Sequence, residues 1–198
     1  MSVRLFTAVY PSDPAREHLA AALRSLSAAG HAAGQLRWSE PHSWHITCQF
    51  YGEMPSGSID TVQQHLAESL RDMPAFRLSL RGAGEFHGRY LWIGVGESRR
   101  EMTECMRRCV LPGIEPDHAT PHPHLTVART RRGRAQAHRG GPEKTCVSSL
   151  TAELAQDCAL YAGPSFLVDR VHVLVSELGA GPGGGALHRR VGSIPLAQ

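Results

Sequence analysis

The chain has 198 residues, 41% of them hydrophobic and 20% charged, with a formal net charge of +3. That length can bury one good core, or two small lobes sharing one, and the composition fits a soluble globular protein. No apolar run approaches the ~20 residues a membrane-spanning helix needs, and the mildly basic balance permits a nucleic-acid partner without demanding one. Five cysteines, an odd number with no CxxC pair, argue against a disulfide framework. The N-terminus enters a strand pattern at once, with no signal-peptide character. A reduced, cytoplasmic, monomeric protein with no membrane contact is the expectation.

In chain order, residues 3–10 are β-rich and end at Pro11, which reads as a buried strand. Asp13 followed by Pro14 reads as a cap and first helical residue, and Leu19, Leu23 and Leu26 mark a helix face that stops near Gly30. Residues 36–38 form a short strand and 44–51 a longer one, followed by a turn from Gly52 to Gly57. Ser58 can cap a second helix carrying Ile59, Val62, Leu66, Leu70 and Met73 at helical spacing. Residues 76–81 alternate as a half-exposed strand, which Gly82, Gly84 and Gly88 interrupt, and Tyr90 to Val95 make another. A third helix spans about 99–110, with Cys105 and Cys109 four apart. A proline-rich loop leads to a strand over 124–129. From Arg129 to Lys144 six cations face one acid, Glu143, which reads as a solvated arm able to neutralise backbone phosphates. A fourth helix at about 146–158 turns Val147, Leu150 and Leu154 inward. Residues 166–177 read as one long strand, and 186–194 as the last. The glycine-rich segment 179–185 lacks the Lys-Ser/Thr of a phosphate-cradling loop and reads as their hairpin connection.

This order of elements fits antiparallel pairing better than a continuous βαβ series. The expected fold is α+β: two lobes, each an antiparallel sheet with helices outside, sharing a central cleft within one domain, 1–198.

Two stretches carry chemistry: Trp44-His45-Ile46-Thr47-Cys48-Gln49-Phe50 and Pro123-His124-Leu125-Thr126-Val127-Ala128-Arg129. With 12 His in the chain, one His-x-Thr is worth little, since chance supplies roughly half a match. A third match, His118-Ala119-Thr120, runs into Pro121 and is discarded as a site. The other two share a longer pattern, His-aliphatic-Thr-apolar, one in each half of the chain, as a duplication would leave them. Strand alternation puts His45 and Thr47 on one face, and His124 and Thr126 likewise. Imidazole gives or takes a proton near neutrality, and a threonine hydroxyl can donate to an anionic oxygen. Two such units facing one another suit a phosphodiester. The spacing of His118, His122 and His124 invites a metal reading, but prolines intervene and no carboxylates join them, so no metal and no cofactor are expected.

At these residues the chain resembles the 2H phosphoesterase superfamily, named for two His-x-Thr motifs, and within it the RNA 2′,3′-cyclic phosphodiesterases, also labelled 2′-5′ RNA ligases. The likeness extends over Arg4–Val9, Leu36–Glu53, Leu91–Val95, Pro123–Arg129 and Ser176–Leu178. Gln49 stands where many members carry Arg, and Cys48 where an aliphatic is usual. The resemblance implies a pseudo-two-fold fold, catalytic His45, Thr47, His124 and Thr126, a phosphate contact from Arg129 and base stacking on Phe50. It also implies metal-independent opening of RNA 2′,3′-cyclic phosphate ends to a 2′-phosphate, with reversible 2′-5′ joining. Close alternatives are another small cyclic or 2′-5′ nucleotide diester as substrate, or a non-catalytic protein that binds RNA ends. Strict alternation sets Phe50 and Arg129 on the face opposite their histidines, so each needs a bulge or a strand end to reach the cleft.

Overall fold

A computed structural model describes residues 2–28, 36–115, 120–130, 143–181 and 184–198, with the backbone alone at residues 25, 27, 28 and 143–149. Strand β1 (Ser2–Val9) buries five consecutive residues, Leu5 to Val9, because it lies between two neighbours and is covered on both faces. Helix α1 (Asp13–Ala28) follows. Its cap is Ser12 and not Asp13: the Ser12 hydroxyl accepts the Ala15 N–H at 3.4 Å and its carbonyl accepts the Arg16 N–H at 2.9 Å. Asp13 is the first helical residue and pairs with Arg16, an acid where the helix dipole favours one.

Then come β2 (Leu36–Trp38), a 3-10 turn (Pro41–Ser43), β3 (Ile46–Pro55), α2 (Ser58–Ser69), β4 (Phe76–Phe86), β5 (Tyr90–Val95), α3 (Arg99–Arg108), β6 (His124–Thr130), α4 (Glu143–Asp157), β7 (Ala162–Val168), β8 (Arg170–Gly181) and β9 (Gly185–Pro195). The sheet order is β7-β4-β5-β6-β3-β1-β8-β9, with β2 also on β6. Every pairing between these strands is antiparallel. The expected two sheets are two halves of one curled sheet, joined between β3 and β6 by a single pair, Ile46 with Leu125.

Three expectations need correction. The turn expected at 52–57 is strand up to Pro55; Gly52, at φ +76°, takes a bulge without ending the pairing. Strand β4 runs through Gly82 and Gly84 to Phe86. Here Gly82 (φ +64°) absorbs a register shift, and Gly84 lets the Trp92 indole lie directly on the backbone. The long strand expected over 166–177 is two strands broken at Asp169: β7 pairs with β4 in one half, and β8 with β1 in the other.

The halves exchange helices. Helix α1 leaves β1 and packs on β7, whereas α3 leaves β5 and packs on β3 as well as β4. Helix α2 rests on β8 and β9, and α4 on β4 and β5. One buried cluster therefore runs through both halves, from Leu5, Ile46 and Val173 to Leu80, Ile93 and Phe166. Among the described residues no helix is long and apolar enough to cross a membrane. His118 and the arginines of the basic arm at 131–139 lie outside the described residues.

Candidate active site

The pair Ile46–Leu125 is the seam of the sheet, and both side chains are fully buried. In an antiparallel ladder the neighbours of such a pair oppose one another crosswise. Thr47 thus stands against His124, and His45 against Thr126, all four on the face away from Ile46 and Leu125. Burial follows the same alternation: Trp44 and Ile46 point inward, as do Pro123 and Leu125, while His45, Thr47, His124 and Thr126 are half-exposed. The seam brings the four residues named from the sequence together.

The two histidines are held in the same way. His45 Nδ1 lies 2.7 Å from the carbonyl of Ser43, and His124 Nδ1 lies 2.7 Å from the carbonyl of His122. A carbonyl only accepts, so each Nδ1 carries the proton and donates it. This fixes the tautomer in which Nε2 does the proton transfer. In both cases the carbonyl belongs to the residue two places before the histidine, the duplication repeated at the level of single atoms.

The parity of Phe50 and Arg129 is settled by two matching bulges. In β3, Ala8 pairs with Thr47 and Thr7 with Gln49, leaving Cys48 as the extra residue. In β6, Trp92 pairs with Thr126 and Leu91 with Ala128, leaving Val127 extra. Each bulge falls three residues after the motif histidine. Each leaves two adjacent inward residues, Cys48–Gln49 and Val127–Ala128. Beyond it the alternation is reversed, so Phe50 and Arg129 come round to the histidine side. Phe50 lies in the cleft wall with the Arg4 guanidinium 4.6 Å from its ring centroid, a cation–π contact. Arg129 is exposed, across from Tyr90 on one side and Arg37 on the other.

A cavity of about 790 Å³ opens on the His124 side of the seam, lined by Thr47, Phe50, Tyr90, His122, His124 and Thr126 among others, with Met106 and Arg107 of α3 beside them; His45 stands outside this lining. His124 packs edge-on to Phe86, centroids 4.9 Å apart, and near Trp92 at 6.1 Å. His45 sits between Phe6 at 5.2 Å and His188 at 5.1 Å, with Tyr10 at 6.0 Å. This enclosure pushes the His45 pKa down to about 4: burial acts first, and the positive charges of His188 and His124 add to it, against the Ser43 carbonyl, which raises it. His45 is therefore neutral at pH 7, and an anion beside it would favour the imidazolium.

Several site residues escape a reading of the sequence. Phe6, His188 and Phe86 carry no motif and reach the histidines only through pairing, whereas His122, noted for its metal-like spacing, instead holds His124 through its carbonyl. Trp92 is half-buried, its ring centroid 4.8 Å from that of His122 and 5.2 Å from that of Phe86. Among the described residues the one cluster with metal-ligand geometry is not histidine-based; it comprises Cys48, Cys105 and Cys109.

Known proteins resemble this chain in sequence and in fold. A family model described as the 2′-5′ RNA ligase superfamily matches residues 10–180. An RNA 2′,3′-cyclic phosphodiesterase from Methanothermobacter thermautotrophicus is 30% identical over 142 residues, covering 68% of this chain and 74% of that protein. One from Aeropyrum pernix is 34% identical over 112 residues, covering 52% and 62%. Among solved structures, E. coli LigT complexed with 3′-AMP superposes with a TM-score of 0.70 at 18% identity, with 100% of each chain covered. TT0787 of Thermus thermophilus gives 0.67 at 23%, covering 98% of this chain and 97% of that one. The family match starts at the end of β1 and runs into the last hairpin, across both His-x-Thr strands, and on that extent the chain belongs to the 2′-5′ RNA ligase superfamily.

Proposed function

We propose that this protein hydrolyses RNA 2′,3′-cyclic phosphate ends to 2′-phosphates by two-histidine acid–base chemistry, with no metal in the reaction. The observation that carries the reading is the crossed seam: two imidazoles, each locked to the Nδ1–H tautomer, lie diagonally across it, each opposite the partner strand's threonine. The names of the matched relatives and the LigT complex with a nucleotide support it.

A cyclic phosphate is strained, and opening it requires proton transfer on both sides of phosphorus, with the entering and leaving oxygens in line. We assign His124 as the base that takes a proton from water, and His45 as the acid that protonates the departing O3′. The P–O3′ bond breaks as the new P–O bond forms, leaving a 2′-phosphomonoester and a free 3′-hydroxyl. Thr47 and Thr126 donate to the non-bridging oxygens, where charge builds in the transition state. Arg129 adds a charge-assisted contact on the RNA side, and Phe50 offers a stacking surface for a base. With its pKa lowered to about 4, His45 serves as the acid only once the substrate's negative charge has drawn a proton onto it. A 5′-hydroxyl in place of water would give a 2′-5′ linkage by the same step.

The test is hydrolysis of a cyclic-phosphate-ended oligonucleotide and of 2′,3′-cyclic AMP in excess chelator, with His45→Ala and His124→Ala alongside. Wild-type turnover that survives the chelator and falls by at least ~10² in each variant is the expected result. Inactive wild type, or turnover in the variants, defeats the reading; activity lost to the chelator defeats its metal-free form.

A further inference from the structure

Behind the β3 wall of the cleft three thiols converge. Cys48 is the bulged residue between Thr47 and Gln49. Cys105 and Cys109 stand one turn apart on α3, the helix that crosses over to pack on β3. Their sulfurs all lie within 4.8 Å of one another, and all three residues are buried. Residues four apart on a helix share a face, and the long-range packing of α3 brings Cys48 onto that face. A buried cysteine usually serves as a small hydrophobe, but three sulfurs aimed at one point form a donor set.

The dimensions suit a soft cation. A Zn–S bond of ~2.3 Å sets tetrahedral sulfurs ~3.8 Å apart, so the trio need contract by less than about 1 Å. The Arg108 guanidinium acts on Cys105, where its charge would offset a bound thiolate. The hydroxyl of Thr7, fully buried, stands beside Cys109. Tyr51 donates to the Cys109 carbonyl at 2.8 Å, pinning the end of α3 to β3.

We infer that Cys48, Cys105 and Cys109 form a binding site for a thiophilic divalent cation of the Zn²⁺ class, which ties the bulge of β3 to α3. Three S–H bonds are replaced by three metal–sulfur bonds, the protons passing to solvent. The net charge of −1 that remains lies near Arg108, and a water or the Thr7 hydroxyl completes four-coordination. The ion sits behind the strand that carries Thr47 and Phe50 and takes no part in proton transfer. Its role is structural, and it stands or falls independently of the proposed reaction.

The experiment uses the full chain, reduced and stripped with chelator, titrated anaerobically with Co²⁺. Expected are thiolate-to-cobalt charge-transfer bands that saturate at one ion per chain, bleach on addition of Zn²⁺ and accompany the release of up to about three protons. The bands should vanish in Cys105→Ser and Cys109→Ser and persist in Cys158→Ser, whose buried thiol lies outside the trio. Should the serine variants not fold, alkylation of the wild type decides, since Zn²⁺ should shield three of the five cysteines. No thiolate band at stoichiometric Co²⁺, a band that survives both variants, or alkylation indifferent to Zn²⁺ overturns the site.

Discussion

His45 gives the sharpest quantitative test. Its pKa of about 4 in the empty cleft lies below the ordinary 6.5, which amounts to a penalty on the imidazolium on the order of 3 kcal/mol. A phosphate monoanion bound between the threonines places a negative charge beside the ring. At ~4 Å and an effective dielectric constant of ~20, that charge is worth about 4 kcal/mol to the imidazolium. The two effects are of the same size and opposite sign, so a bound phosphate should bring His45 back to about 6.5 or slightly above. Binding at a pH between 4 and 6.5 should therefore draw in close to one proton, and phosphate affinity should rise as pH falls through that window. The assays are NMR titration of the His45 ring with and without saturating inorganic phosphate, and calorimetry at pH 5.5 in buffers of differing ionisation enthalpy. An empty-cleft pKa near 6.5, or one that phosphate leaves in place, refutes the electrostatic reasoning.

Acid should also destabilise the free protein. His45 and His172 are each pushed down to about 4, His172 chiefly by burial and then by Arg190 and Arg170. Between pH 6.5 and 4 the unfolded chain takes protons that the fold refuses, so stability falls as pH drops through that range; a flat denaturation midpoint over it contradicts the expectation. Gly84→Ala would put a methyl 2.9 Å from Cε2 of Trp92 and closer still to Cζ2 and Cη2. We expect a loss of about 1–3 kcal/mol from overpacking and reduced turnover as Trp92 shifts against His124, whereas wild-type melting and activity would show that the indole moves freely. Phe50→Ala should raise KM for an oligonucleotide by about tenfold or more, in line with ~1–3 kcal/mol per stacked base, and Arg129→Gln should lower the salt slope of RNA binding by about one. An unchanged KM or slope removes the corresponding residue from the RNA path.

The legible part of the site was the part governed by local rules. A period of two and a repeated His-x-Thr were enough to put His45, Thr47, His124 and Thr126 on cleft-facing positions. Phe50 and Arg129 were not placeable by the same rule, because a bulge is a property of two strands in register and leaves no mark on one of them. The sequence of β7 hid its strand behind Gly163 and Pro164. Proline is tolerated there because β7 is the outermost strand of its half, where a missing N–H costs no ladder bond. Cys105 and Cys109 were visibly neighbours, but Cys48 joins them only because α3 crosses to the other half of the molecule.

The single rung between β3 and β6 means that few backbone bonds tie the halves at the seam. The spacing of the two imidazoles therefore depends on side-chain packing: the cluster shared by both halves, and the helices α1 and α3 that cross between them. Interiors this closely packed transmit strain, so a volume change under either helix, remote from the cleft, should be felt as a change in the distance between the reacting groups.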